Sequence, residues 1–132
     1  MSITLAQAQA LLAGVADHAA AHGLRLSAIV LDGRGAEVAA ARMDGAGWVT
    51  ISVARGKATT CVAFGRPSDA LAGMRVELPE VFAVAAGQLP VTPVTLAGGL
   101  PLPDGLGAIG VSGASAEEDR EAAEAAIKAV FG

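Results

Sequence analysis

The sequence is poor in several residue types, and each shortage argues against a class of protein. It has a single cysteine, Cys61, so no disulfide can form within the chain. Its nine Lys and Arg residues are scattered singly and the formal net charge is -4, unlike the basic face of a nucleic-acid-binding domain. A basic amphipathic stretch, typical of proteins that bind the membrane surface, is also missing. We therefore expect neither nucleic acid nor membrane among the partners of this protein.

Long apolar runs are missing too. No stretch approaches the roughly 18 apolar residues that a membrane-spanning helix needs. The first residues, Met1 to Leu5, show neither the positive charge nor the long apolar run of a signal peptide. We expect a cytoplasmic location.

Apolar residues are plentiful, but they are small. The chain is 53% hydrophobic and only 3% aromatic, and it contains no tyrosine. A length of 132 residues fits one domain, which we take as residues 1–132. A core of Leu, Val, Ile and Ala must pack closely, and close packing of small residues suits helices that lie flat on a sheet.

The predicted elements follow the order helix, hairpin, helices, hairpin, helix. Capping-box pairs predict where the first and last helices begin: Thr4 with Gln7, and Ser115 with Glu118. A further helix is predicted to begin with Thr50 as its N-cap. Short apolar runs between turn residues predict the strands, over 27–31, 37–43, 94–96 and 106–112. Strands in adjacent pairs favour an α+β fold, with helices packed on an antiparallel sheet, over a doubly wound parallel one.

Several motifs look like chemistry but have simpler explanations. Gly105–Gly110 spells a dinucleotide-binding fingerprint, yet it lies inside a predicted strand, which favours tight packing over a cofactor. Gly56, inside a predicted helix, costs about 1 kcal/mol relative to alanine and indicates close packing or the approach of another group. His18 and His22 are one helical turn apart, but two ligands rarely make a metal site, so we predict none. The lone Cys61 is interpreted as a small core residue.

A group of charged residues is the stronger candidate for a site. Arg42, Asp44 and Lys57 come from a predicted strand, the turn that follows it and the next helix. Together they could fix a carboxylate or polarise a carbonyl group. The same residue types also form structural salt-bridge networks, so both interpretations stay open.

Five motifs, in order, resemble those of the GlcG/HbpS-like family, and the resemblance covers nearly the whole chain. They are the run Ile29–Gly35 with Ala41–Ala46, the helix Ser52–Ala58, the pair Phe64 and Pro67, the turn Gly98–Pro101, and Gly107–Gly113 with Asp119.

This resemblance implies a profilin-like fold, an antiparallel sheet of about five strands with helices packed on it. It also implies a homo-oligomer and makes haem the candidate cofactor. The ordinary haem ligands available are two histidines and three methionines: His18, His22, Met1, Met43 and Met74. We place the candidate ligand-binding residues at His18, Thr95, Gly98, Gly99 and Ser112, and expect a variable pocket wall within 73–93.

Three functions remain open at this point. The first is a module that binds an apolar small molecule, haem-like in the family, in a pocket near the sheet and often at a subunit interface. The second is a cofactor-independent isomerase, cyclase or rearrangement catalyst for a hydrophobic metabolite of specialised biosynthesis. In that case Arg42 or Lys57 would donate to a carbonyl or enolate, and Asp44 would orient the donor. The third is a non-catalytic oligomeric scaffold.

Overall fold

The computed structural model describes residues 2–132, so Met1, one of the candidate haem ligands, lies outside the described residues. These residues form helices and strands with the following bounds: α1 Leu5–His22, β1 Ser27–Asp32, β2 Glu37–Arg42, α2 Thr50–Phe64, α3 Ala72–Glu77, α4 Pro79–Ala86, β3 Gly99–Pro101, β4 Gly107–Ser112 and α5 Ala116–Phe131. Single turns of 3-10 helix span Ser68–Leu71 and Pro103–Gly105. Between residues 2 and 132, no helix is long and apolar enough to cross a membrane.

The strands form an antiparallel sheet in the order β2-β1-β4-β3, which confirms the predicted α+β class. Over the described residues the sheet has four strands, against the expected number of about five. The strand predicted over 94–96 is wrong, because the backbone N–H of Val94 donates to the hydroxyl of Thr60 on α2, at 3.0 Å. The edge strand instead begins at Gly99, where a turn was predicted.

Helices cover both faces of the sheet, and alternation along the strands decides which residues face which layer. Ala28 and Val30 of β1 join the core beneath α1 and α5. Ile29 and Leu31 point the other way and pack against α2. The sheet therefore separates the α1–α5 layer from α2.

Gly110 in β4 lets α2 lie very close to the sheet, and Gly107 lets β4 lie close to β1. A Cβ built on Gly110 would overlap the carbonyl oxygen of Ala54 in α2, and one on Gly107 would overlap that of Leu31 in β1. The glycine-rich pattern over 105–110 is thus a packing feature, as predicted, and it does not open a helix as a dinucleotide-binding loop does.

The capping boxes of α1 and α5 form as predicted. The backbone N–H groups of Gln7 and Glu118 donate to the hydroxyls of Thr4 and Ser115, each at 3.1 Å. The N-cap role predicted for Thr50 is wrong. Thr50 is the first residue of α2, and its hydroxyl donates backwards to the carbonyl oxygen of Gly47, at 2.7 Å.

Candidate ligand-binding groove

The outward side of α2 forms one wall of an open groove of about 390 Å3. The facing wall comes from the segment 91–94, which connects α4 to β3. Six residues line the groove: Ser52, Val53, Arg55, Val91, Thr92 and Val94. The volume falls within the range of about 300–1,000 Å3 that is usual for small-molecule sites.

Gly56 explains why the segment 91–94 lies against α2. A Cβ at Gly56 would come within 2.8 Å of the carbonyl oxygen of Thr92 and would press on the Val94 side chain. The Thr60 hydroxyl donates to the carbonyl oxygen of Gly56, at 2.8 Å, and accepts the N–H of Val94. The predicted approach of another group at Gly56 is therefore confirmed, and the group is the wall of the groove.

The chemistry of the groove is apolar with one cation. Val53, Val91 and Val94 supply apolar surface, and Arg55 supplies the charge. Arg55 pairs with Glu37 of β2 at 3.3 Å, and both side chains are partly exposed. Exposed pairs of this kind stabilise a protein little, and a guanidinium has five N–H donors, so Arg55 retains donors for an anionic ligand group.

A second, smaller cleft of about 160 Å3 lies further along α2. Thr59 and Val62 of α2 line it, facing Leu89 and Pro90. Positions 52, 55, 59 and 62 follow helical spacing and so lie on one face of α2. One side of this helix thus lines both the groove and the cleft, and residues that follow α4 lie opposite it in each.

Lys57 lies inside the protein, away from this groove. Its side chain is 2% exposed, and its ammonium group donates to the Asp119 carboxylate at 2.9 Å and to the Val111 carbonyl oxygen at 2.8 Å. Asp119, also buried, accepts the N–H of Ala114 with its other oxygen, at 3.0 Å. The contacts fix the amine between α2, β4 and α5.

The three charged residues predicted as a candidate site do not contact one another. No hydrogen bond or ion pair within residues 2–132 joins Arg42, Asp44 and Lys57 to one another, and Lys57 pairs with Asp119 instead. Arg42 donates to the carbonyl oxygen of Ala46, at 2.9 Å, and Asp44 is exposed. Their catalytic roles stay a prediction.

Two of the predicted ligand-binding glycines lie beside the buried ion pair. A Cβ on Gly98, whose φ is +126°, would come within 2.7 Å of the Lys57 amine, and one on Gly99 within 2.6 Å of the Lys57 carbonyl oxygen. Thr95 is buried and accepts a long hydrogen bond of 3.5 Å from Arg75. Ser112 is buried on β4 opposite Ser27 of β1. Ligand binding by these four residues stays a prediction.

His18 lies in the other helix layer, on α1, so the sheet separates it from the groove. Its ring stacks on that of His22 with 4.1 Å between centroids. The Nδ1 atom of His22 lies 2.9 Å from the carbonyl oxygen of His18. The structure therefore does not bring His18 together with Thr95, Gly98 or Gly99.

Cys61 is a buried core residue, as predicted. It lies on the face of α2 that packs against Ile29 and Leu31 of β1. Burial raises the pKa of its thiol from 9.0 to about 12, so the thiolate, which is the form that reacts and binds metals, is scarce at neutral pH.

Sequence reasoning singled out none of the six lining residues individually, although Val91 and Thr92 lie within 73–93, where a pocket wall was expected. Val53, Arg55, Thr92 and Val94 belong to no motif that points to chemistry. The signals available were the helical spacing of Ser52 and Arg55 and the glycine inside α2.

These observations define the class of protein. It has a mixed fold, with an antiparallel sheet between helix layers and an apolar groove beside one helix. A family model described as haem degrading protein HbpS-like matches residues 3–128. The chain therefore belongs to the HbpS-like family.

Solved structures agree with this assignment. A double mutant of HbpS from Streptomyces reticuli is 31% identical, with a TM-score of 0.86 over 100% of this chain and 88% of that one. PduOC, crystallised as a haem complex, is 25% identical, with a TM-score of 0.83 over 99% of this chain and 96% of that one. The Klebsiella pneumoniae protein ORFY, 24% identical, shares the fold, with a TM-score of 0.80 over 97% of this chain and 90% of that one. No curated protein sequence matches the chain.

Haem is the group named in the description of the family and in the PduOC complex. The groove suits the porphyrin part of haem but offers no ligand for its iron. Its apolar walls and Arg55 suit a porphyrin ring and its carboxylates. None of the six lining residues is a His, Cys, Met or Tyr, the side chains that ordinarily bind haem iron. Two of the candidate haem ligands lie elsewhere. Met43 packs against the core of the α1–α5 layer, and His18 lies on α1 in the same layer. Axial coordination of iron does not fit this groove.

Proposed function

We propose that this protein binds an apolar small molecule with an anionic group in the groove between α2 and the segment 91–94. The observation that carries the proposal is the pairing of three valines with one arginine in a groove of suitable volume. Apolar surface supplies affinity, and the guanidinium orients the anion. This function corresponds to the ligand-binding module among the three hypotheses.

A porphyrin is the probe that family membership and this chemistry share. Because the groove offers no ligand for iron, metal-free protoporphyrin IX should bind about as tightly as hemin. Binding should also survive His18→Ala, since that residue lies across the sheet. A hemin affinity far above that of protoporphyrin, lost in His18→Ala, would instead place the ligand at α1.

The decisive test places a charge in the apolar wall. Val53→Asp should weaken protoporphyrin binding by about tenfold or more, because it removes apolar contact and repels the carboxylates. Leu5→Asp is the matched control, an exposed apolar residue of α1 where an acidic residue suits the helix N-terminus. Equal affinities for the two variants, measured by porphyrin fluorescence, would contradict the proposal.

The role of Arg55 can be separated from that of the valines. Arg55→Ala should lower the affinity for protoporphyrin IX several-fold while leaving its dimethyl ester unaffected, since the ester carries no carboxylate. Equal losses for the acid and the ester would show that Arg55 supports the fold of the groove and does not bind the anion.

The oligomeric scaffold is a second candidate, which a different surface supports. Four apolar side chains of α3 and α4 and the residue between them are exposed: Val76, Leu78, Val81 and Val84. Exposed apolar clusters commonly mark protein interfaces, so we expect a homo-oligomer. Light scattering at micromolar concentration tests this, and a monomer would contradict it.

A further inference from the structure

Over residues 2–132 the sheet has two edges, and only one of them is protected. The edge strand β3 spans three residues and ends in Pro101, and the N–H of Gly99 donates to the hydroxyl of Ser68 at 2.9 Å. A short strand that contains proline and bonds to a side chain offers little to another chain. The opposite edge strand, β2, is six residues long and contains no proline. This second edge is therefore open to pairing with another strand.

The backbone of β2 directs hydrogen-bonding groups away from the sheet at two positions. In an antiparallel pair, successive residues alternate between facing the neighbouring strand and facing outward. The N–H of Met43, just after β2, donates to the carbonyl oxygen of Leu26, just before β1, at 3.0 Å. By this alternation Ala41 also faces β1, whereas Ala40 and Arg42 face outward. Outward N–H and C=O groups are a template for a further strand.

Small side chains leave the β2 edge open on both faces of the sheet. Ala40 and Ala41 point to opposite faces, and both are exposed although helices cover each face. The helix layers therefore stop short of this edge. Val38 is an extra residue in the register between β1 and β2, and such a bulge interrupts regular pairing. The accessible part of the strand is thus the segment 39–42.

The two ends of β2 carry opposite charges, Glu37 at the start and Arg42 at the end. Both side chains lie on the α2 face of the sheet, since their registered partners Leu31 and Ser27 do. An antiparallel pair of two β2 strands centred on Ala40 places Arg42 of each copy next to Glu37 of the partner subunit. Opposite charges so placed stabilise a sheet, whereas a parallel pair in register would put like charges together.

We propose that β2 is an interface for a second copy of this chain. The two β2 strands pair antiparallel about Ala40, and the two four-stranded sheets become one continuous sheet. The Ala40 N–H of each copy donates to the Ala40 carbonyl oxygen of the other, as a two-fold axis requires. The inference is independent of the groove, and the surface is separate from the exposed valines of α3 and α4.

Cysteine crosslinking tests the interface and its register. Opposed residues of a hydrogen-bonded antiparallel pair have Cα atoms about 5.5 Å apart, within the range of a disulfide. Ala40→Cys should therefore give a covalent dimer on a non-reducing gel after mild oxidation. Ala41→Cys is the matched control, equally small and exposed, but its copy lies two positions along the strand, about 8 Å away and out of reach. The buried Cys61 should leave wild type uncrosslinked.

Charge reversal tests the antiparallel arrangement. In the Ala40→Cys protein, Arg42→Glu should slow crosslinking about threefold or more, because it places two acidic side chains together. Adding Glu37→Arg restores opposite charges between the two copies and should recover most of the rate. An unchanged rate in Arg42→Glu would overturn the proposed pairing of charges.

Two outcomes of the crosslinking would overturn the proposal. Equal crosslinking of Ala40→Cys and Ala41→Cys would show that the strands are not paired about Ala40. A light-scattering mass above that of the monomer, without a crosslink at position 40, would place the contact between copies elsewhere, such as on α3 and α4. Neither outcome bears on ligand binding in the groove, which the porphyrin titrations test separately.

Discussion

Replacing Lys57 with methionine removes one charge from an ion pair that both helix layers share. Lys57 is 1% and Asp119 2% exposed, and their charged atoms are 2.9 Å apart. Methionine keeps the length and apolar stem of lysine, so the substitution tests the charge and its hydrogen bonds. It leaves Asp119 buried without its cation.

Breaking a buried ion pair from one side costs about 3–5 kcal/mol, because the remaining charge is uncompensated. Lys57→Met also removes the donor to the Val111 carbonyl oxygen, which the apolar side chain cannot replace. For a domain of this size, such a loss lowers the midpoint of thermal unfolding by about 10–20 °C. Adding Asp119→Asn removes the stranded charge, and the amide oxygen can still accept the Ala114 N–H.

Urea unfolding of wild type, both single variants and the double variant gives the coupling free energy. The double variant should be less destabilised than the sum of the single variants, by about 1–3 kcal/mol. A loss below about 1 kcal/mol in Lys57→Met, together with abolished ligand binding or turnover, would refute the structural role and favour the catalytic one.

Three further predictions follow from packing and titration. Gly110→Ala should destabilise the protein by about 3 kcal/mol in urea unfolding, because a Cβ there overlaps the α2 backbone, whereas Gly73→Ala should be neutral or stabilising because the space beside it is open. The pKa of the Cys61 thiol is about 12 in the folded chain and near 9.0 in the unfolded chain, so the free energy of unfolding should fall as pH rises above about 9. Cys61→Ala should remove this pH dependence, which thermal melts at pH 8 and pH 10 would measure. Thr60→Val should cost about 1 kcal/mol by leaving the Val94 N–H unpaired, and should also weaken porphyrin binding, while an unchanged affinity would show that this bond does not hold the wall.

Local chemistry was enough to predict where α1 and α5 begin, because a capping box satisfies the first backbone N–H groups of a helix within four residues. It was not enough at Thr50, whose hydroxyl has a tertiary neighbour in Ser27, at 2.8 Å, as well as the carbonyl oxygen of Gly47. The edge strand was misplaced for the same reason. The N–H of Val94 bonds to a helix side chain, and Gly99 can lie in a strand under α2 only because it has no side chain.

The site was harder to predict, because its contacts join distant parts of the chain. Asp119 has a sufficient local explanation at the start of α5, so nothing in the sequence indicates its ion pair with Lys57, 62 residues away. Arg55 becomes a candidate ligand-binding residue only because the folded chain places the segment 91–94 opposite it. Gly56 was the one local sign of that approach, since a glycine inside a helix needs a reason.

The central claim is that the ligand occupies the groove beside α2. Methyl NMR spectra of the wild-type protein, recorded during a titration with protoporphyrin IX, test it most directly because a porphyrin ring strongly shifts the resonances of methyl groups next to it. We expect the largest shifts at Val53, Val91 and Val94, which line the groove. Large shifts at Val15, one turn from His18 on α1, with the three groove valines unchanged, would contradict it.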